Sequence, residues 1–275
     1  MQEKKQTCWL CEGDRLTACF SKYGGHYFQC QGCGLLLSSL AETAEMRHDR
    51  DSSFSPESER DLSVNIEREY SDKSQKRYCQ EIRKYTEYRQ KNRILDVGCG
   101  TGGFLFTAMK SGWRAVGTEV SSQAVQAAEG KGLEVHLGAL RDRIFENDSF
   151  DIIRMEDVIE HLKDPLGDLH ICHGLLRPGG LLVLSTVNVD SLTFVLLRER
   201  WRYIDPRYHI HLFTLKNLSL LLEKSGFRII SFKTAGLRTR EDKKMQRYLR
   251  PALKLLAKIF RKGHRMGVMA VKSRE

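Results

Sequence analysis

Short apolar runs alternate with stretches of helical spacing along most of the chain. Ile94, Leu95 and Val97 form a run of buried-strand type, and Phe104 to Met109 then takes helical spacing. Ala115 to Gly117 is the next apolar run. Ser121 can cap a helix from Gln123 to Lys131, with Gly132 to end it. Glu134–Leu137 reads as a third strand and Ser149–Met155 as a fourth. Pro165 to Leu176 reads as a helix with proline in its first turn, and Pro178-Gly179-Gly180 turns into a fifth strand, Leu181–Thr186. Thr214 can cap a helix from Leu215 to Lys224, and Gly226-Phe227 opens a sixth strand, Arg228–Phe232. The rhythm is that of an α/β domain.

The rhythm fails in four places. Residues 1–40 hold paired cysteines and a Gly24-Gly25 turn. Residues 41–68 read as a linker, polar and charged through Asp61 with Ser52-Ser53-Phe54-Ser55-Pro56 inside it. Helical spacing returns from Glu69 to Arg89 through Tyr70, Tyr78, Ile82 and Tyr85. Leu192 to Asp205 breaks the alternation with Trp201, Arg202, Tyr203 and Ile204. Residues 241–262 space Met245, Tyr248, Leu249, Ala252, Leu253, Leu256, Ile259 and Phe260 as a helix whose other faces are crowded with Lys and Arg.

Charge changes the picture in this last segment alone. The 275-residue chain carries a net charge of +10. Gly236 to Glu275 holds 13 Lys/Arg against 3 Asp/Glu, so that segment carries the whole excess. A basic amphipathic helix here can pack on its own domain, lie on an anionic membrane or grip a nucleic-acid backbone, and nucleic acid is the least favoured of the three. No apolar run is long enough to span a bilayer. Met1 to Thr7 has no apolar export signal, which predicts a cytoplasmic protein, peripheral to the membrane if the basic helix serves it.

Cys8, Cys11, Cys30 and Cys33 stand as C-x2-C-x18-C-x2-C. Each pair can aim two thiolates at one tetrahedral zinc, and four thiolates leave no open position, so the metal's role is structural. Gly24-Gly25 and His26–Phe28 supply the hairpin of a zinc ribbon. Cys19, Cys79, Cys99 and Cys172 have no metal spacing and read as ordinary cysteines.

The chemistry concentrates at Gly98-x-Gly100-x-x-Gly103, a nucleotide-type turn between strand and helix. Asp96 decides the ligand. A carboxylate at the strand tip repels a pyrophosphate and attracts a cation such as the ammonium of S-adenosylmethionine. Glu119 follows at the distance where an acid accepts from ribose hydroxyls. The run L-D-V-G-C-G-T-G-G-F with V-G-T-E resembles the class I S-adenosylmethionine-dependent methyltransferases over nearly the whole chain, and the cysteine pattern looks like the ribbon preceding many bacterial small-molecule methyltransferases of that kind.

The resemblance implies a Rossmann-like seven-stranded domain over 69–275, with Gly267–Lys272 as its last strand, antiparallel beside the fifth. It implies a lid insertion at 187–213, and a basic helix at 241–262 inserted between the sixth and seventh strands. It assigns cofactor contacts to Asp96, Gly98, Cys99, Gly100, Thr101, Gly102, Glu119, Val120, Ala139, Leu140 and Glu156. F-D-I-I and V-I-E-H-L-K-D-P match the family's fourth-strand region and point to Glu160 and His161 for acid–base or substrate-orienting work. H-I-H-L-F-T adds His209. A divalent-metal reading of Asp157, Glu160 and His161, at i, i+3 and i+4, is the minor one. The expected activity is methyl transfer to a small-molecule or lipid-linked acceptor. The rivals are an RNA methyltransferase and a non-catalytic S-adenosylmethionine-binding protein.

Overall fold

A computed structural model describes residues 7–40, 56–142, 145–236 and 260–273, with the side chains of 56–61 excepted. Strands β1 (Leu16–Lys22), β2 (Gly25–Cys30) and β3 (Leu36–Ser38) form the antiparallel ribbon. The linker expected through residue 68 gives way at Pro56 to helix α1 (Pro56–Tyr70). Proline suits a first helical turn, and this helix is too polar to show a clear apolar stripe. Helix α2 (Asp72–Arg83) follows, with Ser71 as its cap.

The α/β rhythm then builds the large sheet. Its elements are β4 (Arg93–Val97), α3 (Gly103–Lys110), β5 (Arg114–Glu119), α4 (Ser122–Glu129), β6 (Glu134–Leu137), β7 (Phe150–Glu156), α5 (Pro165–Leu175) and β8 (Leu176–Val187). The insertion follows as α6 (Leu192–Leu197) and β9 (His211–Leu212), then α7 (Leu215–Lys224), β10 (Phe227–Ala235) and β11 (Arg265–Lys272). The seven-stranded order is β10-β11-β8-β7-β4-β5-β6. The five strands from β8 to β6 run parallel, and β11 is inserted antiparallel between β8 and β10. The expected fifth and sixth strands are longer than their apolar runs, because β11 pairs with β8 from Arg265–Val187 to Val271–Leu181 and with β10 from Phe227–Lys272 to Ala235–Arg265. The expected basic helix at 241–262 lies outside the described residues as far as 259, and residues 260–262 are turn and loop rather than helix.

Each sheet face is closed by a different layer. Tyr78, Ile82 and Tyr85 from α2 and its exit, with Phe104 and Ala108 from α3, bury Ile94, Ile152 and Leu181. On the opposite face Leu169, Cys172, Leu218, Leu221 and Leu222 from α5 and α7, joined by ribbon residues Leu10 and Leu35, cover Leu95, Ile153, Met155, Leu182 and Leu184. Full burial of each such leucine or isoleucine is worth about 1.5–3 kcal/mol. The ribbon also extends into the insertion. β9 adds to β3 to make a four-stranded sheet, and Tyr27, Leu36, Phe194, Trp201, Ile204 and Leu212 share one core.

Candidate functional site

The turn after β4 is set by backbone conformation. Gly98, Gly100 and Gly102 have φ of +67°, +57° and +83°, the left-handed region that glycine enters without strain. Gly98 N–H and Cys99 N–H both donate to Thr118 O, at 2.8 and 3.0 Å, which locks the tips of β4 and β5 together. Glu119 ends β5. Its Oε2 accepts from Gly100 N–H at 2.9 Å, and its Oε1 accepts from Val120 and Ser121 N–H at 2.8 and 2.9 Å. A carboxylate oxygen has two lone pairs, so Oε2 keeps one for a further donor. Val120 is exposed beside it. Ala139 stands just past β6, its N–H bonded to Asp142 Oδ2 at 2.9 Å, and Leu140 is buried beneath.

Asp96 is not the open strand-tip carboxylate that its position suggested. It is 1% exposed and faces Arg154, its register partner on β7, with Arg154 Nη1 to Asp96 Oδ1 at 3.0 Å. Arg154 Nε also donates to Glu81 Oε1 at 2.8 Å, and Nη2 pairs with Glu156. Burial pushes the Asp96 carboxyl up to about 6, against the pull of Arg154. Asp96 Oδ2 is buried without a hydrogen-bond partner. Glu156 is held by arginines on three sides: Arg154, Arg77 Nη1 at 3.2 Å and Arg265 Nη2 at 3.4 Å. Sequence reasoning missed Arg154. Its signal was a lone charge inside the apolar run Ile152-Ile153-Arg154-Met155, which requires a buried partner.

Sequence reasoning also missed Glu69. Its Oε2 accepts from Thr101 Oγ1 at 2.8 Å and Gly103 N–H at 3.2 Å, and Tyr70 Oη donates to Thr101 O at 2.9 Å. The α1–α2 junction is thereby fastened onto the glycine turn. Glu69 is half-buried there.

A second cluster lies past the end of β7. Ligand atoms of Glu160, His161 and His209 lie within 4.8 Å of one another. Asp157 is not among them. The segment is a turn rather than a helix, Asp157 takes φ +55°, and its carboxylate pairs with Arg265 Nη2 at 2.6 Å. His209, brought in by the insertion, takes the place expected for Asp157. Glu160 is 1% exposed; its Oε2 accepts from Thr186 Oγ1 at 2.8 Å. Burial first, and the nearby Asp157 charge second, push Glu160 up to about 8, so its carboxyl is protonated at neutral pH. His161 Nδ1 lies 2.7 Å from Tyr208 O. A carbonyl only accepts, so Nδ1 is the donor in this contact. Burial pushes His209 down to about 3, helped by His161. His209 is therefore a neutral imidazole, its ring centroid 4.8 Å from that of His161.

The ribbon holds this cluster from behind. Tyr27 Oη donates to His209 O at 2.5 Å, Ser38 Oγ donates to Pro206 O at 2.7 Å, and His211 N–H donates to Glu160 O at 3.1 Å. Trp201 is buried against Phe194 and Tyr203, so it packs the insertion.

Cys8, Cys11, Cys30 and Cys33 bring four sulfurs within 4.8 Å of one another, with Cys8–Cys33 at 3.7 Å and Cys11–Cys30 at 3.5 Å. Four thiolates around zinc at about 2.3 Å stand about 3.8 Å apart. The donor set and spacing fit that ion.

Residues 70–232 match the family described as "Methyltransferase domain". The ubiquinone biosynthesis O-methyltransferase of Cereibacter sphaeroides is 35% identical over 111 residues, covering 38% of this chain and 44% of that protein. The protein of the same name from Xanthomonas campestris pv. campestris is 36% identical over 120 residues, covering 41% and 50%. The chain thus spans about half the length of these curated relatives. A SAM-dependent methyltransferase from Archaeoglobus fulgidus superposes with a TM-score of 0.54 at 21% identity, over 76% of this chain and 99% of that one. That likeness concerns the fold.

Proposed function

The chain belongs to the class I S-adenosylmethionine-dependent methyltransferases, and from this premise we propose that it methylates a hydroxyl oxygen on a small-molecule acceptor. The observation that carries the acceptor side is the convergence of Glu160, His161 and His209 within 4.8 Å of one another, with His161 Nδ1 turned to Tyr208 O at 2.7 Å. The relatives named for ubiquinone biosynthesis O-methylation support oxygen as the acceptor atom.

The donor side fits S-adenosylmethionine. Glu119 Oε2 retains accepting capacity for a ribose hydroxyl, and the backbone at Gly98 and Gly100 carries no Cβ. When bound, the donor supplies a methyl group made electrophilic by its sulfonium. The chain's residues do the rest. His161 Nε2 takes the proton of the acceptor hydroxyl, general-base help worth about 10²–10⁴-fold. The Glu160 carboxyl and the His209 ring fix where that nitrogen stands. The buried insertion excludes water and holds the reactants in line.

Zinc in the four-cysteine site is structural in this reading. A lipid-linked acceptor, a cytoplasmic setting and membrane contact through 241–262 extend it, supported by the basic helical spacing of that segment and by the absence, among the described residues, of any helix able to cross a membrane. The test supplies labelled donor and purified protein to a cell extract. Label is expected in the organic-soluble small-molecule fraction and falls about a hundred-fold with His161→Ala, with donor affinity by calorimetry unchanged. Label in precipitated RNA, or donor affinity lost with the histidine, overturns the proposal.

A further inference from the structure

Three carboxylates surround the glycine turn, and Asp96 is the least able to act as a counter-charge. Its own charge is matched by Arg154 at 3.0 Å inside the fold. Glu119 is committed to the backbone N–H groups of residues 100, 120 and 121. Glu69 differs from both. Its hydrogen bonds to Thr101 Oγ1 and Gly103 N–H use only Oε2. Its Oε1 faces Gly100, where an added Cβ would stand 3.0 Å from it. A Cβ at Gly103 would lie 2.7 Å from Glu69 Cβ and 3.0 Å from Glu69 O. Two glycines of the fingerprint are thus shaped around this side chain. A helix cap alone needs one oxygen, and this carboxylate offers a second toward the turn. Burial is the main reason Cys99 is pushed up, and the charges of Asp96, Glu119 and Glu69 all add to it, so the three carboxylates converge on one space.

Building on the donor reading above, we propose that Glu69 is a donor-binding residue whose carboxylate supplies the counter-charge for the ammonium at the amino-acid end of S-adenosylmethionine. Asp96, neutralised by Arg154, acts in this chain as an internal strut. The same Glu69 charge repels a pyrophosphate from the N-terminus of α3.

Calorimetry with two ligands tests this. S-Adenosylhomocysteine carries the amino-acid end and 5′-methylthioadenosine lacks it. Glu69→Gln keeps an acceptor oxygen for Thr101 and Gly103 but removes the charge. The expected result is about ten-fold or more weaker binding of S-adenosylhomocysteine, with 5′-methylthioadenosine held within about two-fold. Retained 5′-methylthioadenosine binding also shows that the pocket has folded. Glu69→Asp, which keeps the charge at shorter reach, falls between wild type and Glu69→Gln for S-adenosylhomocysteine. Equal losses for both ligands, or no loss for either, overturn the proposal and leave Glu69 as a cap. Failure of the unsubstituted protein to bind either ligand would overturn the donor reading itself, and this inference with it, without any substitution being made.

Discussion

The donor edge and the acceptor edge of this sheet are built in different ways. The donor edge is local. Its glycine turn, Asp96 and Glu119 all fall between residues 93 and 119, and Glu69, Glu81 and Arg154 are brought to them from outside. The acceptor edge is assembled. Glu160 and His161 leave the end of β7, Thr186 stands on β8, His209 arrives with the insertion, and the ribbon's Tyr27 reaches His209 across 182 residues of sequence. A local site is held by backbone dihedrals and register pairing. An assembled site is held by whatever supports its most remote piece, and here that support is the four-cysteine ribbon.

The largest expected effect follows from this dependence. A structural zinc contributes about 10 kcal/mol or more to folding a small module. Stripping it with a chelator, or substituting Cys33→Ser, is expected to release β3 from β9 and abolish acceptor methylation. Donor affinity is expected to stay within about three-fold of the intact protein. Metal content, calorimetric donor affinity and turnover are measured on the same sample. If donor binding is lost in step with turnover, the two edges are one unit and the contrast fails.

Arg154 is the reciprocal probe. Arg154→Met leaves Asp96, Glu81 and Glu156 without their shared cation in the interior, a loss of about 3–5 kcal/mol by denaturant unfolding. Without the guanidinium, the Asp96 carboxyl is expected to be pushed up further. The ribbon and the zinc proposed for it are expected to be unaffected, so metal content should equal that of wild type. A smaller cost would mean that solvent reaches the network.

The same contrast governs what was legible in the sequence. The α/β order and the glycine turn could be read from residues 93–119, because periodicity and glycine spacing are local properties. Thr214 and its helix were legible for the same reason: the capping box with Asn217 lies within four residues. The pairing of Asp96 with Arg154 was not, since it needs the register of two strands 58 residues apart. Glu69 was legible as the first residue of a helical segment, but its contact with Thr101, 32 residues away, was not. The joining of the ribbon to the insertion left no signal either, since β9 is only two residues long and has no periodicity to detect.

Glu160 gives a pH signature at the acceptor edge. Its carboxyl stands at about 8 in the fold against 4.5 unfolded. A raised carboxyl pKa stabilises most below the unfolded value, and that contribution is lost as pH rises through about 8. Wild-type stability is therefore expected to decline from pH 5 to 9 relative to Glu160→Gln, by on the order of 3 kcal/mol. Chemical denaturation across that range, with chelator-treated buffers to remove adventitious ions, compares the two. Parallel curves would show Glu160 ionised at neutral pH and would remove the protonated carboxyl from the mechanism.

The smallest effect is the most specific. Tyr27→Phe removes one hydroxyl, the donor to His209 O at 2.5 Å, and keeps the ring in the core shared by ribbon and insertion. Loss of a buried hydrogen bond of this kind costs about 1 kcal/mol. The carbonyl left behind belongs to the residue whose ring stands against His161, so the cost should appear in positioning as well as in stability. The expected result is a several-fold fall in kcat with donor affinity and zinc content unchanged. A fall in stability without a fall in kcat would show that the ribbon supports the insertion as a whole but does not set the His209 ring, and the acceptor cluster would then depend on β9 and Glu160 alone.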